Sequence, residues 1–262
     1  MPHSDYTLAL TVAHEAGQLL QSFYGKVVVS QKGDKDLVTN ADRASEKLIT
    51  DRLRHARPGD TIISEEGTFV PGDKQRSWIV DPLDGTNNFA HGFFAFAVSI
   101  ALVVEGELKV GVVHAPTLGK TFAARAGTGA TLNGIPVGVS DIEHIADAIV
   151  ATGFPYARRT LARDNLAEFN TVMMEAQGVR RVGAASLDLC WVAAGRWDAF
   201  WELHLKPWDV AAGMLICREA GGRVTDFAGQ PVDLDEPEVV ASNGRVHDEL
   251  MRLLNAANES NA

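Results

Sequence analysis

Asp81 and Asp84 stand three residues apart in the stretch Trp78-Ile79-Val80-Asp81-Pro82-Leu83-Asp84-Gly85-Thr86-Asn87-Asn88-Phe89. Two carboxylates held on one side of a turn repel each other unless a cation lies between them. Gly85 has no Cβ, so its backbone can approach a ligand closely. The amides of Gly85, Thr86 and Asn87 could then open toward an anion, as at a helix N-terminus. Carboxylates for a hard cation beside amides for a phosphate point to metal-assisted phosphoryl chemistry. A lone Asp-x-x-Asp is more often an acidic surface turn, so other residues must decide. Glu65 follows an apolar run and can point from a sheet edge into a cleft. Asp209, in Pro207-Trp208-Asp209, falls in the first turn of a helix, where the dipole favours an acid. Asp42 begins another helix in the same way. Taken singly, each also reads as a cap or a solvated acid.

The elements that must position these acids follow from periodicity. Ser4 caps a helix with Leu8, Val12, Ala16, Leu19 and Phe23 on one face, ended by Gly25. Val27 to Ser30 form a short strand or turn, and Lys32 to Asp36 a polar loop. A second helix runs to about Arg57, with Leu48, Ile49 and Leu53 inward, and Pro58-Gly59 stops it. Residues 60–64 form a strand, and residues 67–75 an exposed connection. Ser77 to Val80 is a short strand that stops at Pro82, whose φ is fixed and whose N–H is missing. Phe93 to Val104 and Glu107 to His114 make a hairpin around Glu105-Gly106. Strands at 120–125 and 130–139 turn at Asn133-Gly134. Closely spaced strands predict a mainly antiparallel sheet. After residue 140 strands alternate with helices: strands at 148–152, 198–202, 223–226 and 239–241, helices at 160–177, 184–194, 208–220 and 246–255. This predicts a second α/β layer, with halves at 1–140 and 141–262 forming one catalytic unit.

The chain has 262 residues and a net charge of −10. An acidic chain is poorly suited to sequence-independent nucleic-acid binding. Bound divalent cations would invert the charge locally and allow an anionic substrate. Arg158-Arg159 and Arg180-Arg181 are basic doublets that read as surface salt bridges. Cys190 and Cys217 read as small buried hydrophobes. Met1-Pro2-His3-Ser4-Asp5 lacks the basic start of a secretory signal, and the apolar run Phe93 to Val104 is too short to span a bilayer. The expectation is a soluble, cytoplasmic protein with no membrane partner.

Four segments together resemble the inositol monophosphatase family: Asp36-Leu37-Val38-Thr39-Asn40-Ala41-Asp42, Glu65-Glu66, Asp81-Pro82-Leu83-Asp84-Gly85-Thr86 and Trp208-Asp209-Val210-Ala211-Ala212-Gly213. Their order and spacing match, and the similarity runs from about residue 8 to residue 255. The resemblance implies a layered αβαβα sandwich with a mainly antiparallel N-terminal sheet and a mixed C-terminal sheet. It implies Mg²⁺ as cofactor, a homodimer and inhibition by lithium. Glu65, Asp81 and the Leu83 carbonyl would hold one Mg²⁺, and Asp81, Asp84 and Asp209 a second. Glu65 would also face a weaker third position through water. Thr86 and Asp42 would orient the attacking water.

Val182-Gly183-Ala184-Ala185-Ser186 is similar to the family's substrate loop, although Ala184 stands where some relatives carry a hydroxyl. Asp84, Gly85, Thr86, Gly183, Ala184, Ala185, Glu202 and Asp209 would bind substrate, with Glu202 accepting from the hydroxyls of inositol. Asn88-Phe89 resembles the inositol phosphatase branch. Lys206 is similar to many bacterial members and reads equally as a rim or a solvated residue. The implied function is hydrolysis of inositol monophosphate, with other sugar phosphates as further substrates. Fructose-1,6-bisphosphatase or histidinol-phosphate phosphatase activity is the alternative. A partner of RNA or of the transcription machinery on the same fold is an alternative of another class.

Overall fold

The computed structural model describes residues 4–26, 29–33 and 36–259. The expected strand or turn at Val27 to Ser30 and the loop at Lys32 to Asp36 lie partly outside them. In chain order the first half runs α1 (Asp5–Phe23), β1 (Val29–Gly33), β2 (Asp36–Thr39), α2 (Asn40–Ala56), β3 (Asp60–Ser64), β4 (Phe69–Val70), β5 (Asp73–Asp84), α3 (Thr86–Ala90), β6 (Ala97–Val104), β7 (Glu107–Ala115), β8 (Lys120–Arg125), β9 (Ala130–Leu132) and β10 (Ile135–Val137). The second half runs β11 (Ile149–Thr152), α4 (Leu166–Glu175), β12 (Gly178–Arg180), α5 (Ala185–Ala193), β13 (Ala199–Glu202), α6 (Pro207–Glu219), β14 (Arg223–Thr225), β15 (Val239–Ser242) and α7 (His247–Glu259).

Amphipathic faces dictate the layers. Ser4 caps α1 by accepting from the Thr7 amide, and Leu8, Val12, Ala16 and Leu20 turn inward. That face and α2 cover one side of an eight-stranded sheet ordered β10-β9-β8-β7-β6-β5-β3-β4. The other side of this sheet packs on α5 and α6, which are apolar nearly all round because they are buried from both sides. Beyond them lies a five-stranded sheet ordered β12-β11-β13-β15-β14. Its outer face packs on α4 and α7. The result is the expected αβαβα sandwich. The large sheet is antiparallel apart from β3 beside β5, and the small one is mixed. Cys190 and Cys217 are buried free thiols in the middle layer.

Four boundaries differ from expectation. β5 does not stop at Pro82: it runs to Asp84, and its ladder with β6 slips between Asp81 and Asp84. A bulge leaves residues unpaired, so the missing proline donor costs nothing there. The 67–75 connection contains β4, which pairs with β3. β6 begins only at Ala97, because Phe93 and Phe94 sit in an exposed turn. Helix 160–177 shrinks to α4, starting after Asn165, whose φ is 73°. Asn165 donates to the Thr152 hydroxyl and the Gly153 carbonyl and accepts from the Trp201 indole. Those bonds hold the preceding residues as wall rather than helix.

Candidate active site

Parallel pairing puts the acids together. Ser64 lies opposite Val80, and the Glu65 amide donates to the Val80 carbonyl at 3.2 Å. Glu65 therefore emerges beside Asp81, where the two parallel strands end. The same logic works in the small sheet: Thr152 pairs with Trp201, so Gly153 lies beside Glu202. A Cβ on Gly153 would fall 2.1 Å from the Glu202 carboxylate oxygens, so no larger residue fits there. Between the two sheet ends opens a cleft of about 560 Å³, lined among others by Glu65, Asp81, Leu83, Asp84, Glu202 and Asp209. Gly85, Thr86, Gly183, Ala185 and Lys206 also line it, while the buried Ala184 stands behind as the residue before α5.

Each acid is fixed by a bond that its neighbouring sequence supplies. Asp81 accepts from the Leu83 amide at 2.9 Å, closing the turn around Pro82. Ser45 on α2 holds the Pro82 carbonyl at 2.8 Å. Asp84 reaches across the sandwich and accepts from the Ser186 amide at 2.9 Å and its hydroxyl at 2.5 Å. Asp209 accepts from the Lys206 amide at 2.7 Å and so caps α6 while facing the cleft. Capping a helix and lining the cleft are thus compatible for Asp209. Gly85 has φ 88°, and a Cβ there would come within 2.9 Å of the Ala95 carbonyl oxygen, so the turn into α3 requires glycine.

Asp42 is fully buried at the start of α2. One carboxylate oxygen accepts from the Thr39 amide at 2.9 Å and the Thr39 hydroxyl at 2.5 Å. The other accepts from the Thr86 hydroxyl at 2.9 Å. The same Thr86 oxygen lies 3.0 Å from the Leu83 carbonyl. A threonine that gives its proton to a carboxylate keeps its lone pairs for a donor such as water.

The electrostatics are those of crowded, desolvated acids. Burial pushes the Asp81 carboxyl well above its usual range, with added repulsion from Glu65, Asp84 and Asp209 and a hydrogen bond shared with Glu65. Asp84 is pushed up to about 6 by burial, against the pull of Ser186 and the α5 amides. Asp209 rises to about 8 through burial, with Asp84 and Glu202 adding repulsion. Burial also raises Asp42, offset by Thr39 and Thr86. Glu202 rises to about 8, through burial and the neighbouring charge of Asp188, while Arg181 pulls it down.

Among the described residues, no three His, Cys, Asp or Glu side chains close on one point as a finished metal shell. The hydrogen bonds from Ser186 and the Lys206 amide hold Asp84 to α5 and Asp209 to the start of its own helix α6. The donor set nevertheless fits a hard divalent cation. Glu65, Asp81, Asp84, Asp209 and the Leu83 carbonyl offer only oxygen, and the crowded acids outnumber Arg181 and Lys206, the arginine and lysine that line the cleft. A sequence profile of the inositol monophosphatase family matches residues 1–260. The chain belongs to this family. It is 41% identical to the Nus factor SuhB of Vibrio cholerae, over 93% of this chain and 92% of that one. It is 38% identical to the fructose-1,6-bisphosphatase/inositol-1-monophosphatase of Thermotoga maritima, over 97% and 96% of the two chains. The solved inositol monophosphatase of an Anabaena (Nostoc) species superposes with a TM-score of 0.89 at 39% identity, covering 96% of this chain and 95% of that one. Inositol monophosphatases are generally metal-dependent, in keeping with the donor set.

Other residues of the site act through long-range contacts that their own stretches of sequence do not announce. Ser186 holds Asp84 from 102 residues away, and Asn88 donates to the Ala95 carbonyl at 2.7 Å and the Val182 carbonyl at 3.0 Å. Asp188 and Arg181 set the charge around Glu202. Lys206 is exposed on the cleft rim, and the exposed His91 ends α3 outside the cleft lining. The basic doublets differ from expectation: among the described residues, Arg158, Arg159, Arg180 and Arg181 form no ion pair. No helix among the described residues is long and apolar enough to cross a membrane.

Proposed function

We propose that this chain is a Mg²⁺-dependent phosphomonoesterase that hydrolyses inositol monophosphate, with other sugar phosphates as secondary substrates. The observation that carries this reading is the Thr39–Asp42–Thr86 hydrogen-bond chain ending beside four mutually repelling acids. Glu65, Asp81 and the Leu83 carbonyl would hold one cation and Asp81, Asp84 and Asp209 a second, with Glu65 available to a weaker third. The chemistry a bound cation supplies here is charge neutralisation and acidification of water. Thr86 gives its proton to Asp42 and accepts from the attacking water, which aims that water at phosphorus. Backbone amides at Gly85 and Thr86 hold the phosphate oxygens, and Gly183 and Ala185 line the far wall. A new P–O bond forms from water as the ester P–O bond breaks, and the freed alcohol oxygen takes a proton. Glu202 meets the ring hydroxyls, and its proximity to Gly153 fixes its position.

The test is phosphate release with and without Mg²⁺ over inositol 1-phosphate, fructose 1,6-bisphosphate, a nucleotide monophosphate and histidinol phosphate. Mg²⁺-dependent release, fastest from a polyol phosphate, is expected. No release from any ester, or histidinol phosphate as the best substrate, would sink the reading. The likeness to a protein named Nus factor favours a second reading, in which the chain is a partner of RNA or of the transcription machinery. Binding to such a partner that survives loss of the acids would support it.

A further inference from the structure

β13 ends at Glu202 and α6 begins at Pro207, so the residues between them, Leu203 to Lys206, must turn the chain until Glu202 and Asp209 meet in one cleft. His204 makes that turn with φ 58°. The left-handed region suits glycine, and a larger side chain held there is strained. Among the described residues, the other non-glycine residues with positive φ are Glu105, Asn133 and Asn165, and each has a local reason. Glu105 and Asn133 precede a glycine in hairpin turns, and Asn165 is fastened by its own side chain. His204 stands in no hairpin and lines the cleft. Its ring is nevertheless fixed. Leu203 and Leu205 are buried on either side of it. Its Nε2 lies 2.9 Å from the Arg163 carbonyl oxygen. A carbonyl only accepts, so Nε2 carries the proton. Arg163 is a firm anchor, because its guanidinium pairs with Glu168 and Glu238, each at 3.0 Å, and lies 4.4 Å from the centre of the Phe227 ring.

In a neutral imidazole, a proton on Nε2 leaves Nδ1 with a lone pair and nothing to donate. Among the described residues, Nδ1 of His204 has no partner. We propose that His204 is a second reader of the alcohol: tied at Nε2, it offers Nδ1 as an acceptor to a hydroxyl of the polyol, beside Glu202. The inference rests on reading the cleft as a phosphomonoesterase site. His204 follows Glu202 by two residues on the small-sheet side of the cleft, whereas the Gly85–Thr86 turn belongs to the large sheet. A polyol carries several O–H donors, and one carboxylate cannot take them all. A ring tied down before the ligand arrives loses little freedom on binding. That use accounts for a histidine at a position where glycine would turn the chain without strain.

The test compares wild type, His204→Gln and His204→Asn on inositol 1-phosphate and on phenyl phosphate, whose alcohol has no spare hydroxyl, both with Mg²⁺. The amide nitrogen of a glutamine reaches about as far as Nε2 and can keep the tie to Arg163, but it puts no acceptor in the place of Nδ1. The amide oxygen of an asparagine falls near the place of Nδ1, and asparagine tolerates a left-handed φ. For His204→Gln, the preference in kcat/KM for inositol 1-phosphate over phenyl phosphate is expected to fall roughly three- to tenfold, mainly through KM, on the scale of one neutral hydrogen bond. His204→Asn should keep more of that preference. A wild-type preference in His204→Gln, a preference better kept there than in His204→Asn, or an equal loss on both esters would show that the ring only ties the loop, and would overturn the proposal. If wild type releases phosphate from neither ester, the phosphatase reading fails instead. His204 is then judged by titrating the binding of inositol 1-phosphate, where roughly threefold or greater weakening by His204→Gln supports the proposal. Equal binding by the two proteins, or none by wild type, overturns it.

Discussion

Thr86 has one hydroxyl and two acceptors in reach, Asp42 at 2.9 Å and the Leu83 carbonyl at 3.0 Å. Its value to the reaction lies in which lone pair it leaves free. Thr86→Val keeps the shape and removes the oxygen. We expect kcat to fall roughly a hundred- to ten-thousandfold, the usual range for a positioned proton-transfer partner, with KM little changed. Thr86→Ser should restore most of the loss. A Val variant with near-normal kcat would show that water is aimed by other groups. The acids at this scale were legible because their meaning is local: Asp81, Asp84 and Gly85 sit within one turn, and Asp209 within one helix start. Asp42 was legible as a helix-start acid, but its pairing with Thr86, 44 residues away, came only with the family likeness.

Among the elements, the turn into α3 and the loop before α5 are tied by Asn88, whose amide serves the Ala95 and Val182 carbonyls. Removing it leaves two part-buried acceptors without their donor. Asn88→Ala is expected to destabilise the protein by about 1–3 kcal/mol, the penalty for unpaired buried polar groups. Denaturant melts read this directly, and an unchanged midpoint would show that water replaces the amide. The helix pattern over 160–177 was misread for a related reason. Its helical periodicity is real, but Asn165 spends its side chain on Thr152, Gly153 and Trp201, and the chain cannot turn helical before it. Periodicity reports which face is apolar and is silent about a competing polar partner across the fold. Pro82 misled in the opposite sense: read alone it stops a strand, whereas a bulge accommodates it.

For the molecule as a whole, the crowded acids make stability depend on pH and metal. Asp84, Asp209 and Glu202 have folded values of about 6, 8 and 8, above those of an unfolded chain. A carboxyl raised on folding stabilises at low pH, and that contribution is lost as pH climbs through the folded value. His114 and His247, lowered to about 4 by burial, act oppositely, and their contribution is complete above about pH 6.5. Between about pH 6.5 and pH 8.5 the acids therefore dominate, and the metal-free melting temperature should fall as pH rises. Mg²⁺ should stabilise the fold most at the alkaline end, by about 2.7 kcal/mol at a hundredfold excess over its dissociation constant, and raise the melting temperature accordingly. Melts in chelator and in Mg²⁺ across that window check both signs. Superposable curves would mean that the acids do not share a cation.

The order β12-β11-β13-β15-β14 has one more consequence. β13 carries Glu202, and its second neighbour is β15, residues Val239–Ser242, which comes almost at the end of the chain. On the ribosome, the large sheet can be complete while the small one still lacks its inner strand. Asp84 then has no settled Ser186 to hold, and the apolar flank of α5 and α6 waits uncovered. The interval between synthesis of α6 and arrival of β15 is thus the period of greatest exposure to aggregation and proteolysis. A nascent chain arrested before residue 239 should be cut readily in its second half, while its first half already resists.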